Sequence, residues 1–212
     1  MARLWTSAVL LAVVLPACTA DARADMLDRL LGPWTLSEPY AGAGFSHVHH
    51  TGYASGGLSS TEQWKEAAKA FAGFRFSEAF SGEIAYHALG SVAADGPGSA
   101  NALSTLRSQA VAVSLIAKQP LSDLPWTAGT FLEDARLYAR AGAAFRWTRQ
   151  TYPGAAPLRD SGPAFVLGFG FEQDFGDRAF LRAEYEYIGK SGLDRTVDVQ
   201  NTPVSVSLGI RF

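Results

Sequence analysis

Apolar and polar residues alternate one for one at the end of the chain, and this alternation constrains the fold more than any other feature. Between Val204 and Phe212, valine, leucine, isoleucine and phenylalanine occupy every second position, with serine, glycine and arginine between them. Successive side chains of a β-strand point to opposite faces, so a period of two predicts a strand with one apolar face. Terminal residues are commonly frayed and polar. A terminal phenylalanine therefore indicates a strand that is anchored in a larger sheet.

Seven further segments show the same alternation, which brings the number of predicted strands to eight. The first segment is glycine-rich, and its glycines blur the pattern. The predicted strands are Tyr40–Val48, Ala70–Phe76, Phe80–Leu89, Gln109–Lys118, Ala135–Thr148, Ala164–Gln173, Ala179–Ile188 and Val204–Phe212.

Charged residues within these segments all lie on the face opposite the large apolar residues. A soluble β-sandwich would show the same alternation, with its apolar face inward and its charges in water. Two features favour the inverse arrangement, with the apolar face outward and the charges inside. The polar face is rich in glycine, which suits a crowded interior, and aromatic residues concentrate near strand ends, as in the girdles of outer-membrane barrels. The sequence therefore predicts an all-β fold, an eight-stranded antiparallel up-and-down transmembrane β-barrel.

The links between the predicted strands alternate between short and long, as periplasmic turns and outer loops do. Ser77–Ala79 and Phe175–Arg178 are tight turns, whereas Gln119–Asp134 is long at a position where a short turn is expected. The long links are rich in Gly, Ser, Pro and Asn and comprise His49–Lys65, Val92–Arg107, Gln150–Ser161 and Gly189–Thr202.

The first residues have the features of an export signal. The apolar run Ala8–Ala17 is too short to span a membrane but suits a signal peptide, and A-x-A cleavage patterns follow it. We predict a signal peptide over residues 1–24 and a barrel domain over residues 25–212, with a short lead-in over residues 25–39. Cleavage before residue 23 is an alternative, as is lipoprotein processing at Cys18, which follows a lipobox-like "LPA".

Composition excludes several classes of function. Cys18 is the only cysteine, so cleavage leaves no thiol for a cysteine metal cluster, thiol catalysis or a disulfide framework. The formal net charge of −2 argues against a nucleic-acid partner. No apolar run of 18 residues follows residue 24. The exported chain is therefore either secreted or inserted into a membrane without helices.

Several segments resemble the OmpA-like transmembrane β-barrel family. They include "WKEAAKAFAGFRFSEAFSGEIAYHALG", "YARAGAAFRW", "GFGFEQDFGDRAFLRAEYEYIG" and the final "SLGIRF", and the resemblance runs from about Tyr40 to Phe212. It implies the outer membrane of a Gram-negative bacterium as the location. It also implies that the last strand closes the barrel against the first, and that Phe212 is an assembly signal read by the barrel-assembly machinery.

The resemblance also implies partners. We expect outer-membrane lipids and lipopolysaccharide around a monomer, and no nucleic acid. Many family members continue into a periplasmic peptidoglycan-binding domain, but this sequence ends where the barrel ends. The segment Asn101–Gln109 is similar to a motif of that domain, yet it is one residue short and lies between strands. Tethering to the cell wall is therefore not expected.

The polar face places many charges inside the predicted barrel, whose interior is just wide enough for side chains to fill. One interpretation is a plug of ion pairs, because an isolated buried ion costs several kcal/mol. The other is a narrow passage that favours anions, because bases outnumber acids. Lys69 also lies on the polar face. The predicted lumen network comprises Arg75, Glu83, Arg136, Arg140, Arg146, Glu172, Arg182, Glu184, Glu186 and Arg211.

No catalytic, cofactor or metal site is expected. Histidine is a common metal ligand, and the sequence has three close together, His47, His49 and His50. No cysteine or fixed carboxylate accompanies them. A lipid A deacylase site would need a base beside a serine on the lipid-facing rim. Ser46 and His47 are adjacent in a strand and therefore point to opposite faces. "GFGFEQ" is not a dinucleotide fingerprint, because no helix follows it.

We therefore expect a small outer-membrane β-barrel with a structural or surface-interaction role, and not an enzyme. A minor porin-like channel is the first alternative, and a lipid A-modifying enzyme is the second.

Overall fold

The computed structural model of the protein describes residues 37–54, 61–95, 103–123, 129–151, 156–189 and 197–212. The predicted signal peptide and most of the lead-in lie outside the described residues. Eight strands and one short 3-10 helix, Leu121–Asp123, make up the described structure. The strands are β1 (Ser37–Ala54), β2 (Thr61–Arg75), β3 (Phe80–Asp95), β4 (Leu103–Pro120), β5 (Ala135–Thr151), β6 (Leu158–Phe175), β7 (Ala179–Ile188) and β8 (Val197–Arg211).

The strands form a closed barrel in which each pairs with its neighbours in sequence and β1 pairs with β8. All eight pairings are antiparallel. The closing register joins Tyr40 to Arg211 and runs without a shift to Ala54 opposite Val197. Closure removes the free sheet edges that an open sheet would expose. The predicted fold, an eight-stranded antiparallel up-and-down barrel, is confirmed.

Large apolar side chains face outward and charged side chains face inward. Phe169 and Leu208 are each 57% exposed, whereas Glu172 and Arg182 are 0% and 1% exposed. A soluble protein places these residue types the other way round. The outer surface is therefore suited to lipid, and the predicted assignment of faces is confirmed for the charged residues within the predicted strand segments; Glu66, Arg107, Arg149 and Arg159, which face outward, lie beyond those segments.

Several strands are longer than the alternation predicts, by the most residues at the end of the barrel away from Ser37 and Phe212. The segment His49–Lys65, expected to be a link, contains the end of β1 and the beginning of β2. The predicted boundaries were wrong here because the hydrogen-bonded ladder continues beyond the apolar band. Past that band both faces of a strand meet polar surroundings, so apolar alternation is no longer required.

The turns at the opposite end are tight. Between β2 and β3 the amide of Phe76 donates a hydrogen bond to the carbonyl of Phe80 at 2.9 Å. Between β6 and β7 the turn contains Gly176 with a φ of +63°, a left-handed conformation that favours glycine. The long link from β4 to β5 starts with the 3-10 helix, whose Leu121 is buried, and residues 124–128 of it lie outside the described part.

Glycines on the inner face make room for aromatic rings. A Cβ atom on Gly209 would lie 2.1 Å from Cζ of Phe180, and one on Gly170 would lie 2.4 Å from Cζ of Tyr138. Neither distance is sterically possible, so these rings occupy the space that a side chain would fill. This crowding explains why glycine is common on the polar face of the strands.

Among the described residues, no helix is long and apolar enough to cross a membrane.

Unboiled folded protein should migrate differently from boiled protein in an electrophoresis gel. In a closed barrel every strand is paired on both sides, so all pairings must break together and the fold should resist detergent at room temperature. Gel mobility of protein that is demonstrably inserted in a membrane measures this. Identical mobility before and after boiling would contradict closure.

Substituting Leu167→Arg should impair folding into bilayers far more than substituting Phe175→Arg. Both residues face outward on β6, with exposed fractions of 48% and 55%, but Leu167 lies mid-strand and Phe175 ends the strand. Arginine costs about 2–4 kcal/mol at the bilayer midplane and about 0–1 kcal/mol near the interface. Urea titrations in phospholipid vesicles would measure the difference, and equal losses for the two variants would contradict a lipid-facing β6.

Candidate functional site

The buried interior of the barrel holds a connected set of ion pairs, and Glu172 lies within it. Its carboxylate accepts hydrogen bonds from Nζ of Lys118 at 2.8 and 2.9 Å. It also accepts from Nη2 of Arg182 at 2.8 Å and from Nη2 of Arg211 at 3.0 Å. Nη1 of Arg136 lies 3.6 Å from the same carboxylate, so four strands besides its own supply cations to Glu172, which is 0% exposed.

Arg182 links two parts of this set. Its Nη2 bonds to Glu172, and its Nη1 donates to Oε2 of Glu83 at 2.6 Å. Four rings surround its guanidinium carbon, at centroid distances between 4.8 and 5.8 Å. Aromatic faces attract a cation, more strongly when water is excluded. The rings belong to Tyr40, Phe71, Tyr138 and Phe180.

Arg140 and Lys69 neutralise the remaining glutamates. Arg140 pairs with Glu83 and Glu186 and lies 3.3 Å from Oε1 of Glu184. Lys69 pairs with Glu184 and lies 3.0 Å from Oε2 of Glu186. Each of these side chains is at most 1% exposed. The three carboxylates therefore share two cations and the neighbouring Arg182.

Two tyrosine hydroxyls complete the hydrogen bonding of these carboxylates. Tyr40 donates to Oε2 of Glu83 at 3.2 Å, and Tyr138 donates to Glu184. Both rings also lie against Arg182, so each tyrosine contacts an anion with its hydroxyl and a cation with its ring. Buried charges are tolerated when further hydrogen bonds satisfy their remaining lone pairs.

The network becomes partly exposed at the barrel mouth beside Glu38 and Arg211. Asp174 there pairs with Arg136 and lies 2.5 Å from Nη2 of Arg211. Arg75 pairs with Glu38, and both side chains are partly exposed. This mouth holds a small pocket open to solvent, whose lining includes Glu38, Arg75, Arg136 and Arg211.

The predicted lumen residues all face the interior or its mouth, and most of them contact one another. Arg75 lies at the mouth, and Arg146 is buried nearer the other end of β5. The prediction omitted Lys118, Asp174, Tyr40 and Tyr138. Parity placed Lys118 on the polar face of its strand, but it was not included in the predicted network, and Asp174 lies just past the predicted end of β6. Tyr40 and Tyr138 are uncharged, so the pattern of charged residues did not indicate them.

An apolar layer lies in the other half of the interior, where Arg146 is also buried. Leu89 lies beyond Glu83 along β3, and Ile188 lies beyond Glu186 along β7, toward the longer links. Both are at most 1% exposed. The layer was not predicted, because inward Val166 is hidden within a continuous apolar run of sequence. It comprises Val48, Leu89, Ala110, Ala112, Ala144, Ala164, Val166 and Ile188.

Ser46 and His47 do not form a catalytic pair. Ser46 is buried inside the barrel, whereas His47 is exposed on the outer face and stacks on Trp64 with centroids 4.9 Å apart. His49 also packs on Trp64, at 4.7 Å. Adjacent strand residues thus point to opposite faces, as the sequence predicts.

Phe212 is exposed to 77% beside the seam between β1 and β8. Its amide donates to the carbonyl of Pro39 at 2.9 Å, so pairing of the two strands extends to the last residue. Its assignment as an assembly signal stays a prediction.

A closed barrel with an apolar exterior and a charged interior defines a transmembrane β-barrel, in which all backbone groups pair without an open edge. Comparison with protein families agrees: residues 37–212 match the OmpA-like transmembrane domain, and the chain belongs to this family. It is an outer-membrane protein of a Gram-negative bacterium.

Solved barrels resemble the fold at low sequence identity. Neisserial surface protein A is 15% identical with a TM-score of 0.58, and the match covers 82% of this chain and 97% of that one. OprG from Pseudomonas aeruginosa is 11% identical with a TM-score of 0.61, covering 85% and 98%. Ail, the attachment invasion locus protein of Yersinia pestis, is 15% identical with a TM-score of 0.52, covering 84% and 100%. No curated protein matches the sequence.

Replacing Arg182→Gln should destabilise the barrel more than replacing Arg136→Gln. The first change removes the fully buried cation that Glu83 and Glu172 share, leaving Arg140 on Glu83 and Lys118 on Glu172, and breaking a buried pair costs about 3–5 kcal/mol. The Arg136 side chain is 24% exposed, so solvent screens its pair with Asp174 and the loss should be about 1 kcal/mol or less. Urea unfolding in a single lipid composition measures both, and equal losses would contradict the central place of Arg182.

Proposed function

We propose that the protein is a structural and surface-interaction barrel whose interior does not conduct. The observation that carries this proposal is the position of Arg182, which is 1% exposed and bonds to both Glu83 and Glu172 across the lumen. An eight-stranded barrel has an interior just wide enough for side chains to fill. Ion pairs that hold one another in the centre of such a barrel leave no continuous path.

The apolar layer supports the same proposal. Its leucine, isoleucine and valine side chains lie between the ion-pair network and the longer links, beside buried polar groups such as Arg146, and they present apolar surface that cannot hydrate a passing ion. An ion would have to lose its hydration there, which is costly in an apolar medium. Two different barriers in series, one charged and one apolar, thus favour a closed lumen.

The proposed partners follow from the location. Outer-membrane lipids and lipopolysaccharide would surround the apolar face of a monomer, and the barrel-assembly machinery would insert it. The outer links between strands would be available to ligands. We propose no catalytic activity, because Ser46 and His47 lie on opposite faces. Mass spectrometry of lipid A from a deletion strain should show unchanged lipid A, and a lost modification would favour an enzyme.

A minor channel is the second candidate, and buried polar atoms favour it. Nε2 of His87 and both polar side-chain atoms of Asn201 have no hydrogen-bond partner among the described residues. Buried polar groups in native proteins generally bind protein or water. A hydrated path through the outer half of the lumen would satisfy these atoms.

Planar-bilayer recording should show no steady conductance for the unmodified protein. Arg182→Gln should open the lumen and give more frequent current steps than Arg178→Gln, which removes the same charge from the exposed turn between β6 and β7. A general porin in the same bilayers shows that the recording detects channels. Steady, well-resolved channels in the unmodified protein would favour the porin-like alternative.

A further inference from the structure

Three arginines stand side by side on the outer face of three adjacent strands. The register places Arg107 of β4 opposite Arg149 of β5, and Arg149 opposite Arg159 of β6. All three side chains are exposed. Directly opposed residues of antiparallel strands have Cα atoms about 4.5–5.5 Å apart. The three cations therefore form one row, which we call the arginine row.

The arginine row lies just above the apolar band of the barrel. On β5 the lipid-facing residues run from Leu137 to Trp147, and Arg149 is the next outward position. A strand tilted by about 40° rises ~2.6 Å per residue along the barrel axis, so the ten steps from Leu137 to Trp147 span ~26 Å. The apolar band of an outer-membrane barrel is about 25 Å tall. Arg149 therefore lies at the level of the lipid headgroups.

The row faces the outer leaflet. The tight turns and both ends of the described chain lie at the opposite end of the barrel, which is the periplasmic end in this class of protein. Because paired residues step along the axis by ~3 Å from one tilted strand to the next, the three guanidinium groups lie within ~6 Å of height. One lipid headgroup region can contact them all.

No carboxylate of the described residues forms an ion pair with the arginine row. Asp160 follows Arg159 in sequence, but alternation places it on the inner side of β6. Like charges directly opposite one another destabilise a sheet. The interior differs from the arginine row in this respect, because the cations of the ion-pair network contact carboxylates. The arrangement thus calls for an anion from outside the chain.

We propose that the arginine row binds the phosphate groups of lipopolysaccharide in the outer leaflet. Guanidinium groups bind phosphate through two parallel charge-assisted hydrogen bonds, which gives both strength and orientation. Exposed hydroxyl residues border the row and supply further donors. Ser91 lies opposite Arg107, and Thr105 and Thr151 face each other one outward position beyond.

Among the residues whose side chains the structure describes, the arginine row lies on one side of the barrel. At the equivalent outer face of β1 and β2, His47 lies opposite Glu66 and Trp64 packs on the histidines. That side carries an exposed carboxylate instead of arginines, which would repel a phosphate. The lipid is therefore bound at a defined position around the barrel and not uniformly along its rim.

The binding site deepens the proposed role at the cell surface and rests on it. The two are nevertheless tested separately, because bilayer conductance reports on the lumen and lipid binding reports on the outer rim. Either measurement can fail while the other succeeds.

The experiment compares full-length protein with the triple variant R107Q/R149Q/R159Q in detergent micelles. The probes are bis-phosphorylated lipid A, the same lipid A without its phosphates, and heparin as a soluble polyanion. Titration should show that the triple variant binds phosphorylated lipid A at least about tenfold more weakly, since three charge-assisted contacts are removed. Arg178→Gln, on a periplasmic turn, should bind as the unmodified protein does.

The thermal stability of the protein in detergent, without added lipid, supplies a second readout. Removing three like charges that face one another should leave the thermal midpoint of the gel-mobility shift unchanged or higher. Phosphorylated lipid A should raise the midpoint of the unmodified protein and not that of the triple variant. If the triple variant does not fold, the single change Arg149→Gln at the centre of the row should weaken binding in the same direction.

Three results would overturn the proposal. These are equal affinity of the triple variant and the unmodified protein for lipid A, equal binding of lipid A with and without its phosphates, and binding of heparin alone. Preservation of binding in the variant R107K/R149K/R159K would support a site based on charge. Loss of binding in that variant would support one that requires the paired guanidinium contacts.

Discussion

Closure of the hydrogen-bonded ladder is the constraint on which the rest of this structure depends. Hydrocarbon offers no partners to backbone amides and carbonyls, so a membrane-spanning sheet must pair every strand on both sides. The register between β1 and β8 achieves this without a shift over its whole length. A closed sheet of eight strands then has an interior of fixed, small diameter. Whatever faces inward must fill that space, and whatever faces outward must suit lipid.

The interior meets this requirement in two ways. Near the periplasmic mouth, Arg182 holds Glu83 and Glu172 together within a cage of aromatic rings, and glycines such as Gly209 admit those rings. Toward the outer links, aliphatic side chains such as Leu89 and Ile188 form an apolar cluster, and Arg146 is buried in register with Ala110 of that cluster. The first layer is stabilised by pairing and the second by exclusion of water. Their combination supports a structural role in the outer membrane.

Charged side chains are arranged differently on the two faces of the sheet. Inside, cations and carboxylates from different strands meet and neutralise one another. Outside, Arg107, Arg149 and Arg159 oppose one another in register at headgroup height, with no carboxylate of the described residues paired to them. An arrangement that would be unfavourable in isolation becomes favourable beside phosphate. The outer rim is therefore where a partner is to be sought.

The sequence by itself determined the number of strands, the face that each side chain occupies and the identity of most buried charges. Strand geometry makes this possible, since a period of two assigns Glu172 or Leu167 to a face without knowledge of any neighbour. Pairing partners were decided only by the tertiary structure. Glu83 and Arg182 are 99 residues apart, and the register between strands that brings them together is not encoded in the alternation of either strand. The same holds for the arginine row, because three residues on three strands become neighbours only when the barrel sets its register.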